Sequence, residues 1–176
     1  MHIPSPIAIH DWLAVNRHLL SPPVGNKVLF EDTGDFIVML VGGPNARKDF
    51  HVNQGEELFY QLEGEIVLEL MENSADGTLK RRRQVIRAGE IFLLPATVPH
   101  GPRRPAGSVG LVVERKRRPD ETDAFQWYCE NCEALMHEVR IPVSDIELQL
   151  KKLLTEFFED PARCTCKSCG TIMQKP

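Results

Sequence analysis

The chain has 176 residues, 42% of them apolar and 26% charged, with a formal net charge of −4. That is ordinary globular composition, enough for one domain with an appendage or a very small second unit. The slight acidic excess gives no electrostatic basis for binding nucleic acid or an anionic membrane, and no apolar run approaches the ~18 residues of a membrane span.

The first residues, Met1-His2-Ile3-Pro4-Ser5-Pro6, lack the basic and apolar stretches of a secretory leader, which points to a cytoplasmic protein. In that reducing compartment the five cysteines read as metal ligands or redox groups rather than disulfides. Asp11 to Leu20 predicts a short helix with Trp12, Leu13, Leu19 and Leu20 as its apolar contacts, stopped by Pro22-Pro23. From there to about Glu114 short β-rich runs follow one another: Phe36 to Val41, Leu58 to Leu62, Ile66 to Met71, Val85-Ile86, Ile91 to Leu94 and Val109 to Val113. Gly, Pro, Asn and Asp separate them, the pattern of a mainly β sandwich or barrel. No helix of crossover length intervenes, which argues against a parallel sheet. Lys80 to Arg83, after the turn-like Asn73 to Gly77, reads as a solvated hairpin edge.

A charged linker, Arg115 to Glu121, comes next. Beyond it Phe125 to Tyr128 and Leu135 to Val139 flank Cys129-x-x-Cys132. Ser144-x-x-Glu147 has the form of a capping box, and Ile146, Leu150, Leu153, Leu154, Phe157 and Phe158 recur at helical spacing. The helix over 145–159 ends at Asp160-Pro161. We divide the chain into a catalytic domain, 1–118, carrying the N-terminal helix, and a C-terminal region, 119–176, made of the linker and a metal-binding tail.

Two stretches carry chemistry. The first holds His51, Glu57 and Gly64; the second holds Gly89, Pro95 and His100. Two imidazoles and one carboxylate on neighbouring strands would grip a ferrous ion from one side and leave the other open to substrate and O2. Both stretches resemble the two cupin motifs, which implies a jelly-roll (double-stranded β-helix) barrel. The chain departs from the motifs at Asn53, where a second histidine is usual, and at Thr97, where glycine is common. With Asn53 the protein ligands drop to three, which favours an open, catalytic site.

Arg47 stands four residues before His51 and Arg104 four after His100. Two guanidinium groups beside a cation suit an organic carboxylate held between them. Glu114 ends an apolar strand and could accept from, or deprotonate, a substrate amine or hydroxyl. The segments Val41 to His51, Leu93 to His100, Gly110 to Glu114, Trp127 to Cys132 and Cys166-x-x-Cys169 together resemble the 3-hydroxyanthranilate 3,4-dioxygenases, from about Pro6 to Thr171. The resemblance implies Fe(II) on His51, Glu57 and His100, with the substrate reaching the iron through its 3-hydroxyl and amine. Arg47 and Arg104 would hold the substrate carboxylate and Glu114 its amine. Glu57 would also border the substrate, and Asn26 the O2 side. Ring opening between C3 and C4 would give 2-amino-3-carboxymuconate semialdehyde, on the kynurenine route to quinolinate and NAD.

Cys129-x-x-Cys132 and Cys166-x-x-Cys169 are two thiolate hooks of the kind that build a tetrahedral metal site. Cys164 is a fifth thiol, two residues before the second hook. The resemblance implies a rubredoxin-like iron site, structural and away from the chemistry; the residues themselves leave iron and zinc open. Two other functions share these features: a metal-dependent cupin isomerase or decarboxylase that needs no O2, and a binding module whose tail serves a partner. A cupin's exposed sheet face would also suit a homodimer.

Overall fold

The computed structural model describes residues 3–21, 25–31, 34–45, 47–144 and 146–176, the side chains of 146 and 147 excepted. Helix α1 (Ile9–Asn16) tightens into a 3-10 turn at Arg17–Leu20, so the expected helix begins earlier and ends in a narrower turn. Its Leu13, with Leu20 of the turn, packs on Leu40 and Val109 at one end of the barrel. The Pro22-Pro23 stop lies outside the described residues.

Among the described residues eleven strands follow: β1 (Asn26–Val28), β2 (Phe36–Gly42), β3 (Phe50–Val52), β4 (Glu57–Glu63), β5 (Glu65–Asn73), β6 (Leu79–Arg87), β7 (Ile91–Leu94), β8 (His100–Arg103), β9 (Val109–Arg115), β10 (Asp123–Tyr128) and β11 (Leu135–Ile141). They form two antiparallel sheets, in the orders β1-β2-β9-β4-β7 and β11-β10-β3-β8-β5-β6. This is the mainly β cupin architecture that the motifs imply. Side chains alternate along each strand, so one set from each sheet turns inward. Phe59 of β4, Ile66, Leu68 and Leu70 of β5, Ile86 of β6, Leu94 of β7 and Val112 of β9 meet as the core.

One retained motif residue and one departure both take positive φ. Gly64 sits between β4 and β5 at φ +63°, where a side chain is disfavoured. Thr97 adopts φ +65° without being glycine. A β-branched residue there carries strain of order 1–3 kcal/mol. Its N–H is secured on Asn53 O at 2.9 Å, which ties the approach to His100 onto the segment after His51.

The basic run on β6 lies at a sheet edge, with Arg82 and Arg83 exposed. Arg81 departs from the expected solvated role. It reaches Glu69 at 3.0 Å and stands 5.2 Å from the Phe50 ring, where Arg103 also packs at 5.6 Å.

The six-stranded sheet runs on past residue 118, since β10 pairs with β3 on one side and β11 on the other. All six residues of β10 are buried. Phe125 and Trp127 pack against Leu150, Leu153 and Phe157 of α2 (Ile146–Glu159), with Trp127 and Phe157 stacked at 4.5 Å. Of the expected box, Ser144 is described, its N–H on Gln149 Oε1 at 2.9 Å, while the Glu147 side chain lies outside the described residues. A short α3 (Pro161–Cys164) follows, capped by Asp160, which accepts from the Ala162 N–H. Among the described residues no helix is long and apolar enough to cross a membrane.

Candidate metal centre

Strand register assembles the site. His51 on β3 stands opposite His100 on β8, and Glu57 on β4 stands opposite Glu114 on β9, in the other sheet. Ladder partners point the same way, so two imidazoles from one sheet face two carboxylates from the other. Ligand atoms of His51, Glu57 and His100 all lie within 4.8 Å of one another. His100 Nε2 is 3.0 Å from Glu57 Oε2, and the two histidine rings lie 5.4 Å apart. The His100 Nδ1–H donates to Val98 O at 3.0 Å, which leaves Nε2 with the lone pair a metal requires. Burial raises the Glu57 pKa, but His100, His51 and Arg117 outweigh it, and the carboxyl titrates below the usual range. An anionic oxygen and two imidazole nitrogens at this separation fit a divalent cation of intermediate softness.

Asn26, Arg47, His51, Glu57, His100, Arg104 and Glu114 all line one cavity of about 130 Å³. Met39, Val41, Phe59 and Val112 form its apolar wall. A larger hollow of about 660 Å³ adjoins it and shares Asn26, Met39 and Glu114. The two arginines are not equivalent. Arg47 forks onto buried Asp49, Nε to Oδ1 at 3.0 Å and Nη2 to Oδ2 at 2.5 Å. Arg104 is 3% exposed, and among the described residues its Nε and Nη1 have no partner. Burial pushes its pKa down to about 10 despite the pull of Glu57, so it stays charged near neutrality. Gly110 makes the room, since a Cβ there would lie 2.8 Å from Gln61 Oε1 and 3.1 Å from Arg104 Nη1.

Several neighbours escaped the motif reading. Asp123, fully buried, has Oδ2 2.6 Å from His51 Nε2. Arg117, in the stretch read as a linker, forks onto Asp123 and touches Glu114. Asn53 Nδ2 donates to Glu114 at 3.3 Å and to Glu57 at 3.5 Å, so the residue standing for the usual histidine braces both carboxylates. Leu150 of α2 also lines the cavity. Only Asn53 lay inside a motif; Asp123 and Arg117 become neighbours of the ligands through β10 pairing, which spacing does not reveal.

In the tail, the sulfurs of Cys129, Cys132, Cys166 and Cys169 lie within 4.8 Å of one another, and two pairs are 3.6 Å apart. That is too long for a disulfide and close to the ~3.8 Å edge of a tetrahedron with 2.3 Å metal–sulfur bonds. Cys169 is drawn down to about 5 by the Thr171 hydroxyl and N–H. Cys132 rises to about 12, its Ala134 N–H outweighed by the surrounding thiols. A cation among the four favours the thiolate at each. Cys164 stands apart, buried, its S–H on Phe157 O at 3.1 Å.

A family model for 3-hydroxyanthranilic acid dioxygenase matches residues 1–158. A 3-hydroxyanthranilate 3,4-dioxygenase of Xanthomonas campestris is 49% identical over 97% of this chain and 93% of its own length. One from Bacillus cereus is 44% identical over 92% and 88%. A solved cupin-2 domain containing protein from Shewanella frigidimarina aligns at 18% identity over 62% of this chain and 94% of that one, with a TM-score of 0.48. The family match spans every strand of both sheets and all three candidate ligands, so the chain belongs to the 3-hydroxyanthranilic acid dioxygenase family.

Proposed function

We propose that this protein opens the ring of 3-hydroxyanthranilate between C3 and C4 with O2, giving 2-amino-3-carboxymuconate semialdehyde. The named relatives support the reaction. In the chain itself, the observation that carries the reading is Arg104: a buried cation with two nitrogens unpartnered among the described residues, in one small cavity with His51, Glu57 and His100. Uncompensated buried charge is costly, and an organic carboxylate in the fork of Arg104 relieves that cost.

Fe(II) held by His51, Glu57 and His100 would supply activation of O2 and acidify the ring hydroxyl. Arg104 seats the carboxylate, and Arg47, anchored on Asp49, borders it from a second side. Together they decide which ring edge meets the ligands, a contribution of orientation. Met39, Val41, Phe59 and Val112 take the ring and keep water from it. Glu114 accepts from the amine or takes the hydroxyl proton. Asn26 borders the O2 side. A second metal, iron or zinc, on Cys129, Cys132, Cys166 and Cys169 fastens the tail.

The test is to reconstitute the protein anaerobically with Fe(II), add 3-hydroxyanthranilate, admit O2, and follow oxygen uptake together with semialdehyde absorbance. One O2 consumed per semialdehyde formed is the expected result. Turnover of the acid without oxygen uptake would replace this reading with an isomerase or decarboxylase.

A further inference from the structure

We infer that Asp123 and Arg117 are positioning residues: Asp123 holds the His51 imidazole in the orientation a ligand needs, and Arg117 joins that carboxylate to Glu114. The inference rests on the proposal that His51 is a metal ligand and Glu114 faces the substrate.

The placement follows from the sheet. Phe125 on β10 pairs with His51 on β3. Asp123, two residues earlier, therefore points to the same face. Its Oδ2 lies 2.6 Å from His51 Nε2, while the Phe125 ring stacks on the imidazole at 5.0 Å and 14°. His51 is thus held along one face and at one edge. The carboxylate accepts the ring N–H, so the remaining lone pair on the imidazole is free for a cation.

Arg117 then fixes the carboxylate. Its Nε lies 3.1 and 3.0 Å from the two Asp123 oxygens, and its Nη2 lies 2.7 Å from Oδ2. The same Nη2 is 3.0 Å from Glu114 Oε2. That oxygen also accepts from Asn53, which reaches back to Glu57. The chain of contacts from His51 through Asp123, Arg117, Glu114 and Asn53 to Glu57 begins and ends on candidate ligands. Exposed ion pairs contribute little, but the Asp123 side chain is 0% exposed and that of Arg117 11%. A lysine is a point charge and cannot fork onto one carboxylate while touching a second.

The test uses full-length Asp123→Asn, Arg117→Lys and Arg117→Met, with wild type and His51→Ala as controls. Fe(II) affinity of the barrel site is measured by competition with a graded chelator. Thiolate-bound metal in the tail is told apart by its charge-transfer absorption. Asp123→Asn is expected to weaken Fe(II) binding by about 10- to 100-fold, the usual cost of losing a partner that orients a ligand. Arg117→Met is expected to lower kcat more than it changes KM, because Arg104 still seats the carboxylate, and Arg117→Lys to recover part of that loss. Should Arg117→Met fail to fold, Arg117→Lys and Asp123→Asn carry the test. Iron affinity and kcat indistinguishable from wild type in the folded variants would overturn the inference while His51→Ala loses barrel iron. Barrel iron retained in His51→Ala would instead overturn the metal-site proposal, and this inference with it.

Discussion

Replacing Arg104 by methionine separates the cost of a binding group from its use. Methionine keeps much of the arginine stem and removes the charge, so packing beside Gly110 and Gln61 is largely preserved. In the free protein Arg104 Nε and Nη1 are buried without partners among the described residues. At the lower end of the ~1–3 kcal/mol that each such group costs, the two impose about 2 kcal/mol. For a chain of this length that is a rise in Tm of about 4–8 °C in the methionine variant. Substrate binding should move the other way. Losing a hydrogen bond to a charged group, worth about 1.5–3 kcal/mol, weakens 3-hydroxyanthranilate binding by about 10- to 150-fold. Thermal melts without substrate and initial rates across substrate concentration measure both. Lowered Tm with unchanged KM would show that the guanidinium serves the fold rather than the substrate.

Three further expectations follow from other parts of the molecule. Gly110→Ala should raise KM and lower Tm together, because its Cβ would meet Arg104 Nη1 at 3.1 Å, an overpacking of about 1–3 kcal/mol; a wild-type KM would show that Arg104 has room to move. Cys166→Ser should lower Tm and tail metal content while kcat of the iron-loaded enzyme holds; full metal content with normal melting would remove the tetrathiolate assignment. Asp49 and Asp123 are held below the usual carboxylate range, burial being outweighed at Asp49 by Arg47 and at Asp123 by His51 and Arg117. Their contribution is present above the unfolded value of 3.8 and is lost as pH falls through the lower folded values, because the unfolded chain takes up protons first. Melts from neutral pH downward should therefore fall through the carboxylate range, and less so in Asp49→Asn; a flat profile would contradict the depressed values.

Much of the site was legible because cupin spacing is rigid. Glu57 and His100 open their strands and His51 sits in the three-residue β3, among the punctuation of Gly64, Gly89 and Pro95, so sequence distance translates into position. Six of the barrel strands show β-rich runs. Strands β1, β3 and β8 do not, being three or four residues long and partly polar, and β8 contains Pro102. They are held by their neighbours in the ladder rather than by propensity. Arg117 and Asp123 were illegible for a related reason. In sequence they belong to a charged stretch, and only the pairing of β10 with β3 carries an aspartate to the imidazole. The asymmetry between Arg47 and Arg104 likewise depends on Asp49, whose burial no spacing rule announces.

Leu150 gives the C-terminal helix a place in the wall of the cavity that holds the three candidate ligands, on the same helix that packs on Trp127 through Phe157. The four-cysteine cluster, joined to that helix through α3, then acts as a latch on a wall, however far its sulfurs stand from His51, Glu57 and His100. Cutting the chain after the barrel would leave a roofless vessel, with the substrate's apolar flank bare to solvent, rather than a leaner catalyst.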